Sequence, residues 1–156
     1  MGSQTCCPPF NVEAWDDRIL RFDHLHFIRR SVVCLWYIPL NFAPVVRRAK
    51  RTIEAQTAEI VDGIVLSDHR SLWRMDALIA IDRACEELGT FTLEGEYLSA
   101  VYEGPHGKTA EFAKDFTSLA QRRGVTIKRY LMYYPLCPRC AKEQGKNYSV
   151  MIAQIE

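Results

Sequence analysis

Apolar positions along the chain switch between two periods. From Ile28 the run Ser31-Val32-Val33-Cys34-Leu35-Trp36-Tyr37-Ile38 is β-branched and aromatic and stops at Pro39, which predicts a strand ending in a turn. Asn41 then stands where a helix cap belongs. Phe42, Val45, Val46, Ala49, Ile53 and Ile60 follow at the spacing of one helical face, with Arg47, Arg48, Lys50 and Arg51 on the solvated side, so a helix is predicted to end near Asp62-Gly63. Short strands are expected at 64–66 and 77–81, separated by the polar, turn-rich segment Ser67-Asp68-His69-Arg70-Ser71. After Gly89 the order recurs. A strand over 97–103 is stopped by Gly104-Pro105, a helix carries Phe112, Phe116, Leu119 and Ala120 on one face, Gly124 ends it, and strands follow over 126–134 and 148–155. Residues 8–27, with Trp15, Asp16-Asp17, His24 and His26, show no sustained period and read as an irregular lead-in.

Laying Pro39 on Pro105, 66 positions on, also lays Val46 on Phe112, Ile53 on Leu119 and Leu66 on Met132. The expected organisation is therefore an N-terminal arm over 1–27 and a single domain over 28–156, built from a first repeat at about 28–89 and a second at about 90–156. Two strand-helix-strand-strand units predict an α+β fold: an antiparallel sheet with two helices on one face and the other face left open. On those strands Trp36, Tyr37, Tyr97, Tyr102, Tyr130, Tyr133 and Tyr134 are candidate groove residues, and strand alternation sends neighbours in this set to opposite faces.

Composition narrows the function classes. In 156 residues, 48% are hydrophobic, and 20 Lys+Arg against 19 Asp+Glu leave a net charge of +1. A chain of this length buries roughly 68–70% of its unfolded surface, so a core needs no disulfide framework. The balanced charge offers no footprint for nucleic acid, and no apolar run approaches the ~18 residues of a membrane span. The residues after Met1 lack the basic start and apolar stretch of an export signal, so a cytoplasmic location and reduced thiols are expected for the six cysteines. An open sheet has edges to pair, leaving monomer or homodimer open.

The segment Ala100-Val101-Tyr102-Glu103-Gly104-Pro105-His106, followed by an amphipathic helix, resembles the aromatic-x-Gly-Pro-aromatic junction of the GyrI-like small-molecule-binding superfamily, as does the duplicated strand-helix-strand-strand order. Cys6-Cys7-Pro8, Trp15-Asp16, Ser67-Asp68 with Trp73, and Tyr134 through Cys137-Pro138-Arg139-Cys140-Ala141-Lys142 resemble a bacterial hydrolase subgroup of it. That resemblance implies hydrolytic opening of reactive cyclopropane-bearing genotoxins of the duocarmycin and yatakemycin type, a detoxification or self-resistance role; other members of the superfamily only bind drugs or sense effectors.

Opening a cyclopropane conjugated to a dienone needs a donor for the oxygen that gains charge and an acceptor for the attacking water. Tyr133 is the candidate donor and Glu103 the candidate base, with a solvated strand-end carboxylate as the alternative reading of Glu103 and Glu94 or Glu96 as alternative carboxylates. Trp36, Trp73, Tyr97, Tyr102 and Tyr134 are candidate walls for a planar hydrophobic ligand, or else ordinary half-buried packing residues. A non-catalytic drug-binding or sensing module would use the same groove. Ser67-Asp68-His69 is not expected to form a triad, since three consecutive residues rarely converge, and neither a Gly-x-Ser-x-Gly elbow nor a phosphate-binding glycine pattern is present. No cofactor is required by this chemistry. Cys137-x-x-Cys140 has zinc-knuckle spacing, so Cys6, Cys7, Cys137 and Cys140 are candidates for a structural zinc, with His24 or His26 as further ligands; packing thiols or a redox-labile pair are the other readings.

Overall fold

The computed structural model describes residues 7–36 and 38–156; Cys6 and Tyr37, singled out above, lie outside the described residues. In chain order the elements are helix α1 (Val12–Trp15), strands β1 (Arg18–Leu35) and β2 (Ile38–Pro39), helix α2 (Phe42–Ala55), strands β3 (Ile60–His69), β4 (Arg74–Ile81) and β5 (Phe91–Glu103), helix α3 (Thr109–Arg123), strand β6 (Ile127–Tyr133), helix α4 (Pro138–Gln144) and strand β7 (Tyr148–Ile155). They fall into two compact units, one of residues 21–95 and one of residues 1–20 with 96–156.

In the unit of residues 21–95, β4 pairs antiparallel with β1 and β3: Ile28 lies opposite Ile79 and Ile79 opposite Val65. Directly opposed residues share a face. Helix α2 covers the face of Ile28, Val32, Met75, Ala77, Ile79 and Ile81 with Ala49 and Ile53, while Phe42 and Val45 pack beside Val32 and Cys34. The helix stops earlier than its apolar spacing predicts. Gln56 closes it, Thr57 takes a positive φ of 58°, and Ile60 begins β3, which then bulges through Asp62 and Gly63. Asn41 does not cap α2 with its side chain; its Oδ1 accepts the Val33 N–H at 2.8 Å, tying the helix start to the end of β1.

In the other unit, β7 pairs with β5 and β6. Helix α3 lays Phe112, Phe116 and Ala120 on Leu98, Ala100, Met132, Met151 and Ala153. Gly104 ends β5 and Gly124 ends α3 in the left-handed region, both where the sequence places a stop.

The expected open sheet carrying two helices on one face is not what forms. Pairing runs β2-β1-β4-β3-β6-β7-β5 and returns from β5 to β1, so six strands close into an antiparallel barrel with β2 as an extra strand. The physical reason lies on the face each helix leaves uncovered, which is buried instead of wet. Phe27, Leu66, Leu78 and Ala80 fill it in one unit, and Tyr97, Ser99, Leu131, Val150 and Ile152 in the other. A sheet apolar on both faces must cover both, and closure does so without further helices. Residues 18–27, expected to be irregular, are the first part of the 18-residue β1. No helix among the described residues is long and apolar enough to cross a membrane.

Candidate functional site

Tyr133 is 6% exposed, on the face of its unit that α3 leaves uncovered. Its ring lies 4.9 Å from that of Trp15 and 6.3 Å, edge-on, from that of Phe10, which in turn sits 5.2 Å from Tyr148. Strand register brings Glu103 to this face: Tyr133 and Val101 both oppose Val150, and Glu103, two residues beyond Val101, opposes Tyr148. Glu103 is exposed at the rim while Tyr133 is enclosed, the two standing on the same face of β5 and β6 with β7 between them. Tyr97 shares the face and is 1% exposed.

The aromatic cover is held by polar contacts. Asn11 Oδ1 accepts the Glu13 N–H and starts α1, the Trp15 carbonyl accepts from Ser99 Oγ, and Asp16 Oδ1 accepts the Val101 N–H at 3.0 Å. Arg123 at the end of α3 grips Asp17 through two carboxylate contacts, at 2.6 and 3.0 Å, and one to its carbonyl at 2.8 Å. Phe10 and Trp15, placed by these contacts, are site residues although the segment around them shows no sustained period in sequence. Trp15-Asp16 was a resemblance signal, but nothing local indicates where that dipeptide docks.

Tyr102 and Tyr134 face the other way, onto α3. The Tyr102 ring stacks on Phe112 at 5.0 Å and 16°, and its hydroxyl donates to Asp115 at 2.8 Å. Burial, then the Asp115 carboxylate beside it, pushes the Tyr102 phenol well above its ordinary range, and burial raises that of Tyr134. Both are therefore neutral donors across the physiological range. Of the candidate walls, then, only Tyr97 shares the face of Glu103 and Tyr133 within this unit. Trp36 and Trp73 belong to the unit of residues 21–95, where their rings pair at 6.0 Å and 55° on an exposed apolar end with Val33, Leu35, Ile38 and Leu40. The Cys34 N–H donates to the Trp73 carbonyl at 2.7 Å and holds the pair together.

The sulfurs of Cys7, Cys137 and Cys140 lie within 4.8 Å of one another, and no histidine joins them among the described residues. Cys137 caps α4, its Sγ accepting the Cys140 N–H at 3.5 Å, while the Cys137 N–H donates to Cys7 Sγ at 3.3 Å. Burial, followed by the neighbouring thiols and only partly offset by the Cys137 N–H, pushes the Cys7 thiol up to about 12.

The fold also pairs two carboxylates that are eight residues apart in sequence. Asp68 and Asp76 are direct cross-strand partners on β3 and β4, on the face away from α2, and are 5% and 4% exposed. Arg70 bridges them, with Arg29 and Arg74 on Asp76. Ser67-Asp68-His69 is not a turn but part of β3, and alternation puts Asp68 on the face opposite Ser67 and His69, so the three cannot act as a triad. The pairing follows only from register, which the chain does not announce.

Among curated proteins none matches the sequence. A crystal structure of an uncharacterized conserved protein from Listeria innocua is similar over 92% of this chain and 94% of its own, with a TM-score of 0.68 at 11% identity, a likeness of fold alone. The family model described as bacterial hydrolase matches residues 2–155, nearly the whole length, and the chain belongs to that family.

Proposed function

We propose that this protein is a hydrolase of the GyrI-like superfamily that adds water to planar, electrophilic, cyclopropane-bearing genotoxins of the duocarmycin and yatakemycin class, in a cytoplasmic detoxification or self-resistance role. Membership of a family described as bacterial hydrolase supports water as the co-substrate. The single observation that carries the chemistry is the enclosed Tyr133 among Phe10, Trp15 and Tyr148, on the sheet face that also bears Glu103.

In this reading the Tyr133 hydroxyl donates to the dienone oxygen as it gains charge. Glu103 accepts a proton from water while the water oxygen bonds to a ring carbon. The strained carbon–carbon bond breaks, its electron pair moves through the ring to that oxygen, and the product phenolate recovers a proton from Glu103 by way of solvent. The aromatic rings give a flat ligand apolar contact at ~0.5–1.5 kcal/mol per stacked pair beyond burial, and acid–base assistance is worth ~10²–10⁴-fold. The exposed Trp36–Trp73 pair is a second surface of the kind a flat molecule stacks on.

The test is mass spectrometry of a duocarmycin-type cyclopropanoid incubated with substoichiometric protein. Many turnovers of a water adduct, reduced at least ~10²-fold by Glu103→Gln and by Tyr133→Phe, support the reading. Saturable one-to-one binding without product instead makes the chain a drug-binding or sensing module, and unchanged turnover in Glu103→Gln removes that residue from its role.

A further inference from the structure

We propose that Cys7, Cys137 and Cys140 bind a zinc ion that fastens the start of the described chain to the segment between β6 and β7. Zinc–thiolate bonds of ~2.3 Å in a tetrahedron put sulfurs about 3.8 Å apart, so three sulfurs already within 4.8 Å need only a small contraction. A disulfide would join two of them and strand the third, whereas a metal uses all three. The backbone is arranged for charge on sulfur: the peptide N–H groups of Cys137 and Cys140 donate to the sulfurs of Cys7 and Cys137, contacts that stabilise and orient a thiolate. A soft, all-sulfur donor set selects zinc over magnesium or calcium.

Helix α4 has seven residues, too few to persist by itself in water, and Cys7 and Cys137 are 130 positions apart in sequence. Cys140, a residue of this short helix, is fully buried and Leu136 is 5% exposed, so the segment turns its sulfur-bearing side inward. On binding, three S–H protons leave to solvent as three S–Zn bonds form, and a fourth donor completes the tetrahedron. This inference does not depend on the substrate proposed above.

Zinc is measured in the full chain, purified reduced and dialysed without chelator. About one zinc per chain is expected, lost in Cys7→Ser, Cys137→Ser and Cys140→Ser and retained in Cys34→Ser and Cys85→Ser. Because a ligand variant can fail to fold, the wild-type chain is also exchanged with cobalt(II). Thiolate-to-cobalt charge-transfer absorption saturating at one equivalent, and erased by added zinc, is the expected result. A metal-free chain that gives no such absorption, zinc retained in all three serine variants, or a Cys137–Cys140 disulfide in freshly isolated protein would overturn the site.

Discussion

Asp68 and Asp76 oppose each other across β3 and β4, and one guanidinium, that of Arg70, contacts both, at 3.2 and 3.0 Å. Two carboxylates nearly out of water at adjacent positions repel, and the cation between them is what makes the pairing tolerable. Asp76 retains Arg29 at 3.6 Å and Arg74 at 3.9 Å if Arg70 is removed; Asp68 loses this ion pair. Arg70→Ala is expected to lower unfolding stability by about 1–3 kcal/mol, toward the lower end because the Arg70 side chain is itself half exposed. Adding Asp68→Asn should recover part of that loss. A shift in the urea midpoint at constant slope, partly reversed in the double variant, is the expected result, and an uncoupled double variant would refute the bridge.

His69 gives the pH dependence. Burial lowers its pKa below the ordinary 6.5, with the charge of Asp68 pulling the other way. The folded chain thus resists the proton that the unfolded chain accepts. The stability contribution of neutral His69 is fully present above pH ~6.5 and is lost as pH falls from there through the lowered folded pKa. Melts between pH ~7.5 and ~5 should show the wild type losing more of its Tm than His69→Gln, and parallel curves would show that His69 does not titrate differently in the two states.

The elements were legible where local chemistry decides them. Gly104 and Gly124 end the elements their neighbours predict, because a left-handed turn acts within a few residues, whereas the strand expected to stop at Pro39 ends at Leu35 and Pro39 belongs to β2, paired back on β1. Helix α2 was overrun at its end because Ile60 continues the apolar spacing while belonging to β3. Barrel closure was illegible for a related reason. The buried second faces read as alternation broken by Ser99 or Asp76, polar residues whose partners, the Trp15 carbonyl and Arg29 among them, come from distant positions. At the site, Tyr133 and Glu103 were recognisable by type, but their shared face depends on the register of β5, β7 and β6. The Cys137-x-x-Cys140 pair is visible as a spacing and Cys7 is a candidate beside it by residue type; the three sulfurs do come together, although nothing local links positions 130 residues apart and only the fold places them.

The junction between β5 and α3 is set by Gly104. Its φ of +146° is one L side chains rarely adopt, and an added Cβ would meet Phe112 Cζ at 3.2 Å, part of the α3 core. Gly104→Ala should therefore cost about 1–3 kcal/mol from the backbone alone. It should also displace the Phe112 ring from its stack on Tyr102. Chemical denaturation together with near-ultraviolet circular dichroism reads both effects, and an alanine variant of wild-type stability would mean that the chain relaxes freely here.

Arg123 and Asp17 place the cover over Tyr133. Their side chains are 37% and 54% exposed, so the pair contributes at most ~1 kcal/mol to global stability despite its two carboxylate contacts. Its effect is local: Asp17, at a positive φ of 51°, directs the chain from α1 into β1, and Trp15 against Tyr133 lies two residues before it. Arg123→Ala should leave the urea midpoint nearly unchanged while amide exchange over residues 11–17 and at Val101, whose N–H donates to Asp16, speeds up. If the enclosed Tyr133 acts on a flat substrate, the same variant should raise KM more than it lowers kcat, because the loosened residues bind the ligand and do not react with it. Unchanged exchange over 11–17 would show that Ser99 and Asp16 hold the cover without Arg123.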